Sequence, residues 1–580
     1  MSRSKEQKEL NAGKIFSIFA IIFLTFIMFL SGITVVAASS QNSTKLSGSQ
    51  TLKPLRGAIY SDDGKILASS KQEYYFALNG SDIDPIHYDF IAEQVSSFTT
   101  LSKRFVMQKL KLKKRTLMIN HLDNQSANSL KRLSGAFDKM RLFQSKIKGK
   151  NLIRNGFEIA KRPILRKYPY GDLATPIVGF YHKSKKNGVM GIERSYEDSL
   201  SSGALKKIYS PRDVGGNLIF HQDNLDFDNS NGEDIILNIN AKLQTKIERI
   251  CDAYKKSLNS KEVLVTIMDS KTGNIVSMAS SNRYNPSRIK NVAYTNMNFV
   301  QYPFEPGSVM KPFLMAHLLE EREVTPYELI WAEKGRYKIG RKWITDTHPH
   351  GWISMEDIIV ESSNIGVAKL AQRLTPYHYL QMLQKYDFHE KSYIDLPYER
   401  SSTLPSIGQL KADITKATLA YGYGLKLNMV QLVKAFNIFN NDGKMITPKV
   451  VKATIINGKT ELAPTEERAV ISAVTAKKML KILRKTVQKG TGKAARIEGL
   501  FTAGKTGTAH VAQKGKYRKL YHSSFLGFAN DKKNRYTLGV LVIHPKTRYF
   551  ASQTAVPVFK ESVLALDSLG WLKKELKNGK

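Results

Sequence analysis

A run of 24 residues without a charged side chain, from position 15 to position 38, is the feature that most restricts how this chain can fold. As a helix rising about 1.5 Å per residue, the run reaches roughly 36 Å, which is enough to cross the apolar core of a bilayer. Four basic and two acidic residues precede it, and the positive-inside rule places such a tail in the cytoplasm. We therefore predict a single-pass protein whose remaining residues lie outside the cytoplasm.

Val36-Ala37-Ala38, at the end of this run, also fits the cleavage site of a secretory signal peptide. The apolar core of a signal peptide is only about 7–15 residues long, so we expect the segment to be retained as an anchor. No later segment is apolar enough to cross a membrane again. The single cysteine, Cys251, excludes an intrachain disulfide and is expected to be a packed thiol in a helix.

The stretch Gly499–Thr506 fits two different patterns. It matches the phosphate-cradling pattern G-x-x-x-x-G-K-[ST], and Lys505–Gly507 also reads Lys-Thr-Gly. A phosphate-binding loop opens a helix, whereas the residues from Thr508 to Val511 predict an extended chain. An exported domain also meets essentially no ATP, so we interpret this stretch as a strand that binds a peptide.

The composition changes along the chain and divides it into four segments. Residues 39–52 are rich in Ser, Gln and Thr, as in a linker, and Asp223–Asp234 is an acidic stretch typical of a boundary. We predict a cytoplasmic tail over 1–14, the anchor over 15–38, a membrane-proximal domain over 39–225 and a C-terminal domain over 226–580. In the last of these, two β-hairpin patterns enclose a long helical block, which predicts an α/β sandwich.

The net charge of +39 suggests contact with something anionic. Residues 101–170 alone hold 19 Lys and Arg against three acidic residues. This region fits a solvated helical face, or a surface near anionic lipid headgroups or an acidic partner. We expect no nucleic-acid partner, because the domain is exported and carries no recognition motif.

Ser308 and Lys311 form the first candidate catalytic pair. Pro306-Gly307 interrupts the chain and helix-forming residues follow, so Ser308 should begin a helix with Lys311 one turn later on the same face. A serine hydroxyl needs a base to become a nucleophile, and a buried lysine can serve if its amine is neutral. The same pattern also fits a serine N-cap followed by a surface lysine, so it carries little weight alone.

Two further motifs follow in the chain. Ser362-Ser363-Asn364 lies between two helical patterns, where Ser362 can relay a proton and Asn364 can hold a peptide amide. In Lys505–Thr508, the lysine supplies positive charge, the threonine hydroxyls can bind a carboxylate, and Gly507 lets a substrate backbone approach the strand. The order of the three motifs and their helix, loop and strand settings agree with one another.

Together, S-x-x-K, S-x-N and K-T-G resemble the motifs of the penicillin-binding protein and serine β-lactamase superfamily. The closer resemblance is to class B penicillin-binding proteins of the division-specific, FtsI-like branch. It rests on Glu305–Ser308, Ser362–Gly366, Tyr421–Gly424 and Ala503–Ala509.

The membrane-proximal domain shares this resemblance. The stretches similar to the family's pedestal motifs are Arg56–Ile59, Arg166–Pro169 and Gly191–Glu193. One turn departs from the family pattern: Ser61-Asp62-Asp63-Gly64 stands where Asp-Arg-Asn-Gly is usual. This departure bears on local salt bridging and not on the chemistry.

The resemblance implies an α+β pedestal that serves for dimerisation and a transpeptidase domain with an antiparallel sheet flanked by helices. It implies that Ser308 attacks the D-Ala-D-Ala bond of a peptidoglycan stem peptide, Lys311 takes the serine proton, and Ser362 passes it to the leaving D-Ala. The backbone N–H groups of Ser308 and Thr508 would form the oxyanion hole. The substrate-binding residues implied are Asn364, Lys505, Thr506, Gly507 and Thr508.

The resemblance also implies partners and a compartment. Expected ligands are stem peptides and β-lactam antibiotics, which would acylate Ser308, and no cofactor or metal is required. We assign His348 and His350 to a loop near the cleft. The expected setting is a bacterial inner membrane with a periplasmic catalytic domain, a membrane glycosyltransferase of the FtsW type and other divisome proteins.

Three other functions stay open at this point. An elongation-specific class B transpeptidase and a D,D-carboxypeptidase would share the three motifs, and a non-catalytic division scaffold would share the anchor and pedestal. A β-lactamase would need a deacylating carboxylate, usually in a Glu-x-x-Leu-Asn loop, and we find none between Ser362 and Lys505.

Overall fold

A computed structural model describes residues 3–42, 47–52, 54–143, 146–148, 151–153, 156–204, 206–211, 231–290, 292–513 and 516–575. The chain divides into two compact units, the first made of residues 1–53 and 205–227 and the second of residues 54–204 and 228–580. Part of the predicted linker and most of the predicted boundary stretch Asp223–Asp234 lie outside the described residues.

The first unit contains the long helix α1, Arg3–Asn42, and an antiparallel strand pair, Ser47–Leu52 with Lys206–Pro211. Residues Gly13–Val35 of α1 are long and apolar enough to cross a membrane. Hydroxyl groups in this segment donate to carbonyls of the preceding turn, as Ser17 does to Gly13 at 2.8 Å. Such bonds satisfy polar side chains within the helix itself, which a lipid environment demands.

In the second unit, a small three-stranded sheet has Tyr74–Asn79 between Arg115–Leu122 and Phe157–Lys161. Its core contains a cluster of aromatic rings, in which Phe137 makes edge-to-face contacts with Phe143 and Phe157. Three helices contribute to this core: Tyr88–Phe98, Lys103–Leu110 and Asn124–Lys139. Further short elements of the region are Thr175–Val178, Phe180–His182, Asn187–Met190, Gly191–Ser195 and Glu197–Leu200.

The three pedestal stretches meet around one buried carboxylate. Glu193 accepts from Arg56 Nε at 2.7 Å with one oxygen and from Arg166 Nε at 2.7 Å with the other. Arg166 also donates to the Gly57 carbonyl at 2.6 Å, and the Tyr168 hydroxyl lies 3.2 Å from Glu193. Residues more than one hundred positions apart are therefore joined by a single ionic network.

A six-stranded sheet takes strands from both sides of the predicted domain boundary. Its central strand, Asp234–Leu237, pairs in parallel with Ile59–Tyr60 and antiparallel with Val451–Ile456. The remaining strands are Ile66–Lys71, Leu165–Lys167 and Lys459–Leu462.

The turn that departs from the family pattern, Ser61–Gly64, makes its own contacts. Asp63 accepts from the backbone N–H of Ala241 at 2.8 Å, at the start of helix Ala241–Ser257. Asp62 pairs with Lys452 at 2.7 Å. This turn therefore has an ion pair of its own, and its contacts connect the N-terminal strands to the C-terminal part of the unit.

The C-terminal part is built on a five-stranded antiparallel sheet. Its strands are β1, Glu262–Asp269; β2, Ile275–Ser280; β3, Phe501–Gln513; β4, Lys516–Asn530; and β5, Arg535–Ile543. Their order across the sheet is β2-β1-β5-β4-β3. The two hairpins β1–β2 and β4–β5 are those that the sequence predicts. Strand β3 forms one edge of the sheet, so one side of its backbone is open.

Helices cover both faces of this sheet. Alternate β1 residues face opposite cores: Val263 and Val265 pack with helices Ala241–Ser257 and Ala555–Ser568, and Leu264 packs in the larger core on the other side. Cys251 is fully buried in the first of these cores, and burial raises the pKa of its thiol, as expected for a packed thiol. Helices of the larger core include α2, Lys311–Glu320; α3, Asn364–Ala371; and the helices Met355–Val360, Pro376–Lys385, Asp413–Ala420, Met429–Phe436 and Ala473–Gln488. The α/β sandwich is confirmed.

Removing the shared carboxylate should strongly destabilise the pedestal. Glu193→Ala leaves the buried guanidinium groups of Arg56 and Arg166 without their common partner, and we expect it to lower the free energy of unfolding by about 3–5 kcal/mol. Denaturant unfolding of the full chain in detergent measures this. The matched control is Glu158→Ala, which breaks an exposed pair with Arg115 and should cost at most about 1 kcal/mol. An equal loss of unfolding free energy in Glu193→Ala and Glu158→Ala would show that Glu193 is not the main stabilising partner of Arg56 and Arg166.

Candidate active site

Ser308 lies in a single 3₁₀ turn, Gly307–Met310, that leads directly into α2. Gly307 has φ of +65°, a conformation that favours glycine, and it lets the chain turn sharply into the helix. Pro312 is accommodated in the first turn of α2 because the N–H it lacks would have no intrahelical partner there. The Ser308 side chain is half-buried, whereas Lys311, one turn later, is fully buried.

The Lys311 ammonium nitrogen is held by the second motif. Nζ lies 2.5 Å from the Ser362 carbonyl oxygen, 2.8 Å from Asn364 Oδ1 and 3.3 Å from Ser362 Oγ. Burial is the main reason that the pKa of Lys311 falls well below its usual value, and the nearby positive charge of Lys505 lowers it further. A lysine in this position can hold a neutral amine beside a nucleophile.

Ser362-Ser363-Asn364 forms the predicted turn between two helices. Ser362 has φ of +63°, which is uncommon for a residue with a side chain, and its hydroxyl reaches two lysines. Ser363 is the N-cap of α3, since its hydroxyl oxygen accepts from the Gly366 N–H at 2.9 Å. Helix capping therefore fixes Asn364 at the first position of α3, beside Lys311.

Asp346 holds this turn in place, and the sequence analysis did not identify it. One of its oxygens accepts from the backbone N–H groups of Asn364 at 2.5 Å and Ile365 at 3.0 Å. The other accepts from the Ser363 hydroxyl at 2.5 Å. Asp346 directly precedes the loop that contains His348, which was predicted to lie near the cleft, but no local pattern marks its role.

The third motif lies on edge strand β3. Lys505 is fully buried, and its Nζ donates to Ser362 Oγ at 2.9 Å and approaches Thr506 Oγ1 at 3.4 Å. Burial lowers the pKa of Lys505 to about 7. Thr506 Oγ1 lies 2.8 Å from Thr491 Oγ1, and Thr508 Oγ1 accepts from the Ala551 N–H at 3.1 Å. Both predicted threonine hydroxyls are thus oriented by neighbouring elements.

The turn Gly307–Met310, hereafter the serine turn, packs closely against β3 at two glycines. A Cβ at Gly507 would lie 2.7 Å from the Pro306 carbonyl oxygen and 3.0 Å from a Val309 methyl group. A Cβ at Gly307 would lie 3.3 Å from the Thr508 carbonyl oxygen. These close approaches place Ser308 beside the Lys505–Thr508 stretch. The structure therefore brings all eight predicted site residues together from a helix, a turn and a strand.

A cavity of about 380 Å³ adjoins the serine turn on the side of Tyr421–Gly424. Gly422 has φ of +88°, and its carbonyl accepts from the Gly307 N–H at 3.1 Å. The residues that line the cavity are Thr418, Tyr421, Tyr423, His510, Tyr517, Arg518 and Lys519. Within the described residues, no group of three or more His, Cys, Asp or Glu side chains is arranged to hold a metal ion.

The chain matches two protein-family models. Residues 263–564 match the penicillin binding protein transpeptidase domain, and residues 51–237 match the penicillin-binding protein dimerisation domain. The first match alone covers more than half of the chain. This chain belongs to the penicillin-binding protein transpeptidase family. The pairing of an N-terminal dimerisation domain with a transpeptidase domain gives it the class B architecture that its motifs resemble.

Relatives and solved structures agree with this membership. The probable peptidoglycan D,D-transpeptidase PenA of Neisseria flavescens is 31% identical over 64% of this chain and 92% of its own length. The penicillin-binding protein PbpB of Mycolicibacterium smegmatis is 30% identical over 69% of this chain, which spans only 64% of that relative's length. The crystal structure of penicillin binding protein 3 from Mycobacterium tuberculosis, complexed with aztreonam, has a TM-score of 0.65 at 22% identity and covers 91% of this chain and 98% of that one. This last likeness shows the fold.

Loss of the Asp346 carboxylate should loosen the Ser362–Asn364 turn and slow acylation. Each hydrogen bond to an ionised group contributes about 1.5–3 kcal/mol, so Asp346→Asn should lower the rate constant for acylation by a penicillin roughly tenfold to a hundredfold. Time-resolved labelling with a fluorescent penicillin measures this rate. His348→Ala, in the same exposed loop, is the matched control and should label at the parent rate. Parent-like labelling of both variants would show that Asp346 has no positioning role.

The acylation rate should depend on pH through both buried lysines. Lys311 can accept a proton only when its amine is neutral, so the acylation rate should rise with pH as this amine loses its proton. Because the pKa of Lys311 is lowered, this rise should be complete well below pH 10.5. Lys505 attracts a carboxylate only while protonated, so its pKa of about 7 should make the rate for a carboxylate-bearing penicillin fall above neutral pH. The measurement is the second-order acylation rate constant from about pH 5 to about pH 10. A penicillin methyl ester lacks the carboxylate, so an equal fall with the ester would refute the role of Lys505.

Proposed function

We propose that this chain is a peptidoglycan D,D-transpeptidase that cross-links stem peptides at the division septum through a serine acyl-enzyme and is inhibited by β-lactams. The observation that carries the proposal is the buried amine of Lys311, one turn after Ser308 and bonded to both Ser362 and Asn364. Membership of the penicillin-binding protein family supports it. The resemblance of the motifs to the FtsI-like branch supports the division role.

Acylation begins with Ser308. Its Oγ attacks the carbonyl carbon of the penultimate D-Ala, and the hydroxyl proton passes to the neutral amine of Lys311. The carbonyl oxygen becomes an oxyanion, which the backbone N–H groups of Ser308 and Thr508 stabilise; one such donor is worth roughly 3–4 kcal/mol in a well-studied protease. When the C–N bond breaks, the proton returns through the Ser362 hydroxyl to the leaving amine. Terminal D-Ala departs and an ester on Ser308 remains.

The substrate is held along the open edge of β3. A peptide that extends beside this edge can add to the sheet as a further strand, with its backbone paired to β3. Because a Cβ at Gly507 would meet Pro306 and Val309, glycine at this position keeps Ser308 close to this edge and to a peptide bound along it. Asn364 faces the peptide amide. Lys505, Thr506 and Thr508 bind the terminal carboxylate, for which the protonated form of Lys505 is required.

The second half of the reaction transfers the acyl group. The amine of a neighbouring stem peptide attacks the ester carbonyl, gives up a proton to the Lys311 and Ser362 pair, and forms a new amide bond. The C–O bond to Ser308 breaks, and the serine hydroxyl regains its proton. A β-lactam also acylates Ser308, but the amine released when its ring opens stays attached to the acyl group. This amine occupies the place where an acceptor would attack, so Ser308 stays blocked.

The setting of the enzyme follows from the same proposal. Residues 1–14 form the cytoplasmic tail, 15–38 the retained anchor, 39–225 the pedestal, and 226–580 the periplasmic transpeptidase domain of a bacterial inner-membrane protein. The apolar helix Gly13–Val35 supports the anchor. We include a membrane glycosyltransferase of the FtsW type and other divisome proteins as partners, since cross-linking requires glycan strands.

Covalent labelling of Ser308 tests the proposal directly. The purified full chain should carry a fluorescent penicillin through denaturing electrophoresis, because the ester to Ser308 is stable, and Ser308→Ala should carry none. The control variant is Ser287→Ala, an exposed serine outside the three motifs, which should label like the parent.

Two outcomes would contradict the proposal. Absence of label on the folded parent chain would remove the catalytic assignment and favour the scaffold alternative. Label that appears and is rapidly hydrolysed would indicate a β-lactamase instead.

A further inference from the structure

Three of the four tryptophans of the chain, Trp331, Trp343 and Trp352, fall within 22 residues next to the active site. Trp343 is 56% exposed and Trp352 is 66% exposed, although tryptophan normally buries most of its large apolar surface. They belong to a short hairpin, Arg336–Ile339 with Lys342–Thr345, and to an antiparallel strand pair that encloses it in the chain, Leu329–Trp331 with Trp352–Ser354. Exposed aromatic surface of this kind marks a place where another molecule binds.

The hairpin Arg336–Thr345, hereafter the basic hairpin, is also strongly cationic. From position 334 to position 343, five of ten residues are Lys or Arg and none is acidic. All five are exposed: Lys334, Arg336, Lys338, Arg341 and Lys342. The basic hairpin therefore combines a solvent-facing indole with a concentration of positive charge.

Successive side chains of the two strands point to opposite faces, so the basic hairpin has a core-facing side and an outer side. Ile339 and Ile344 are buried and point to the core, so the strands cannot rotate without exposing them. On the outer face, Lys338 is directly opposite Trp343, and both cations lie over the indole ring: Lys338 Nζ is 5.8 Å from the ring centroid and the Arg336 guanidinium is 4.8 Å from it. Even with these two neighbours, more than half of the Trp343 residue stays exposed.

The basic hairpin is attached to the catalytic machinery at its C-terminal end. The Thr345 carbonyl accepts from Asn364 Nδ2 at 2.9 Å, and the next residue, Asp346, holds the Ser362–Asn364 turn. Trp343 is thus only two residues from a direct partner of Asn364. A molecule that lies on the outer face of this hairpin lies beside the cleft.

We propose that the outer face of the basic hairpin binds a peptide-bearing glycan strand of the cell wall, outside the catalytic cleft. This inference rests on the proposed function, which makes such a strand the substrate. When the strand binds, the exposed side chains of Arg336 and Lys338 move off the Trp343 ring, and the electron-rich face of the indole stacks on the apolar C–H face of a sugar ring. Arg336 and Lys338 pair with carboxylates of the stem peptides that the strand carries, which is the charge complementarity that an acidic polymer needs.

The test is co-sedimentation of the full chain in detergent with purified, insoluble cell-wall sacculi. The protein is first acylated with benzylpenicillin, so that the cleft is occupied and only other surfaces bind. We expect Trp343→Ala to weaken sedimentation about fivefold to tenfold, and Lys338→Gln to weaken it about threefold at low salt. An amidase that removes the stem peptides also cuts the cross-links and releases soluble glycan strands, which then serve as competitors of sacculus binding. Lys338→Gln should bind these peptide-free strands as the parent does, whereas Trp343→Ala should bind them more weakly.

Matched variants separate this surface from general surface effects. Tyr377→Ala removes an aromatic side chain that is 56% exposed on helix Pro376–Lys385, and Lys459→Gln removes an exposed cation from strand Lys459–Leu462; both should sediment like the parent. The rate of penicillin labelling reports folding and catalysis independently, and it should not change in any of the four variants. If Trp343→Ala fails to label, Trp343→Leu keeps an apolar side chain on the hairpin and replaces it.

Two results would overturn the proposal. The first is parent-like sedimentation of Trp343→Ala and Trp343→Leu when both label normally. The second is a Trp343-dependent association with phosphatidylglycerol vesicles and not with sacculi, which would make the basic hairpin a membrane-facing surface. Failure of penicillin labelling in the parent chain would refute the proposed function instead, and it is read from a separate assay.

Discussion

The burial of Lys311 is the constraint on which the rest of the active site depends. An ammonium group removed from water is costly unless it is paired or loses its proton. Here the partners within reach are a carbonyl, an amide oxygen and a hydroxyl, with a second buried lysine, Lys505, on the same hydroxyl. The Asp346 carboxylate raises the pKa of Lys311 only in part and makes no hydrogen bond with its amine, so burial wins and the protein favours the neutral amine. A neutral amine beside a serine can act as a base, so the burial that disfavours the charged lysine also makes Lys311 chemically reactive.

Such a network forms only if three distant chain segments are held rigidly together. Helix α2 presents Lys311, the capped start of α3 presents Asn364, and the edge of the five-stranded sheet presents Lys505. Helix capping by Ser363 and the Asp346 hydrogen bonds both fix the start of α3, and the close approach of Gly507 to Pro306 holds β3 against the turn that leads into α2. None of them touches the reacting atoms in the mechanism proposed here. These interactions set the distances between the catalytic side chains, and an error of about 1 Å in such a distance can lower the reaction rate about a hundredfold.

The parts of the site that depend on short stretches of sequence could be predicted, whereas the parts that depend on contacts between distant segments could not. Ser308 at a helix start, Ser362 at a turn and Lys505 on a strand follow from patterns of fewer than ten residues, and the two outer hairpins of the sheet follow from apolar runs and turns. Asp346 was missed because its function exists only once a hairpin folds back onto α3. The six-stranded sheet was missed for the same reason, since Asp234–Leu237 has partners more than 150 residues away on both sides. The stretches that contain Arg56, Arg166 and Glu193 were identified only through family resemblance, and their meeting at one carboxylate was not predicted.

A serine ester can pass its acyl group to water or to an amine, and the three motifs act identically in both cases. Discrimination must therefore come from how the acceptor is presented. A surface that holds the polymer beside the cleft raises the effective concentration of its amines at the ester without adding any catalytic group. The basic hairpin meets this requirement geometrically, because it is attached to Asn364 through Thr345 and Asp346. An enzyme that only trims single stem peptides gains nothing from such a surface, whereas one that joins two strands depends on holding the second.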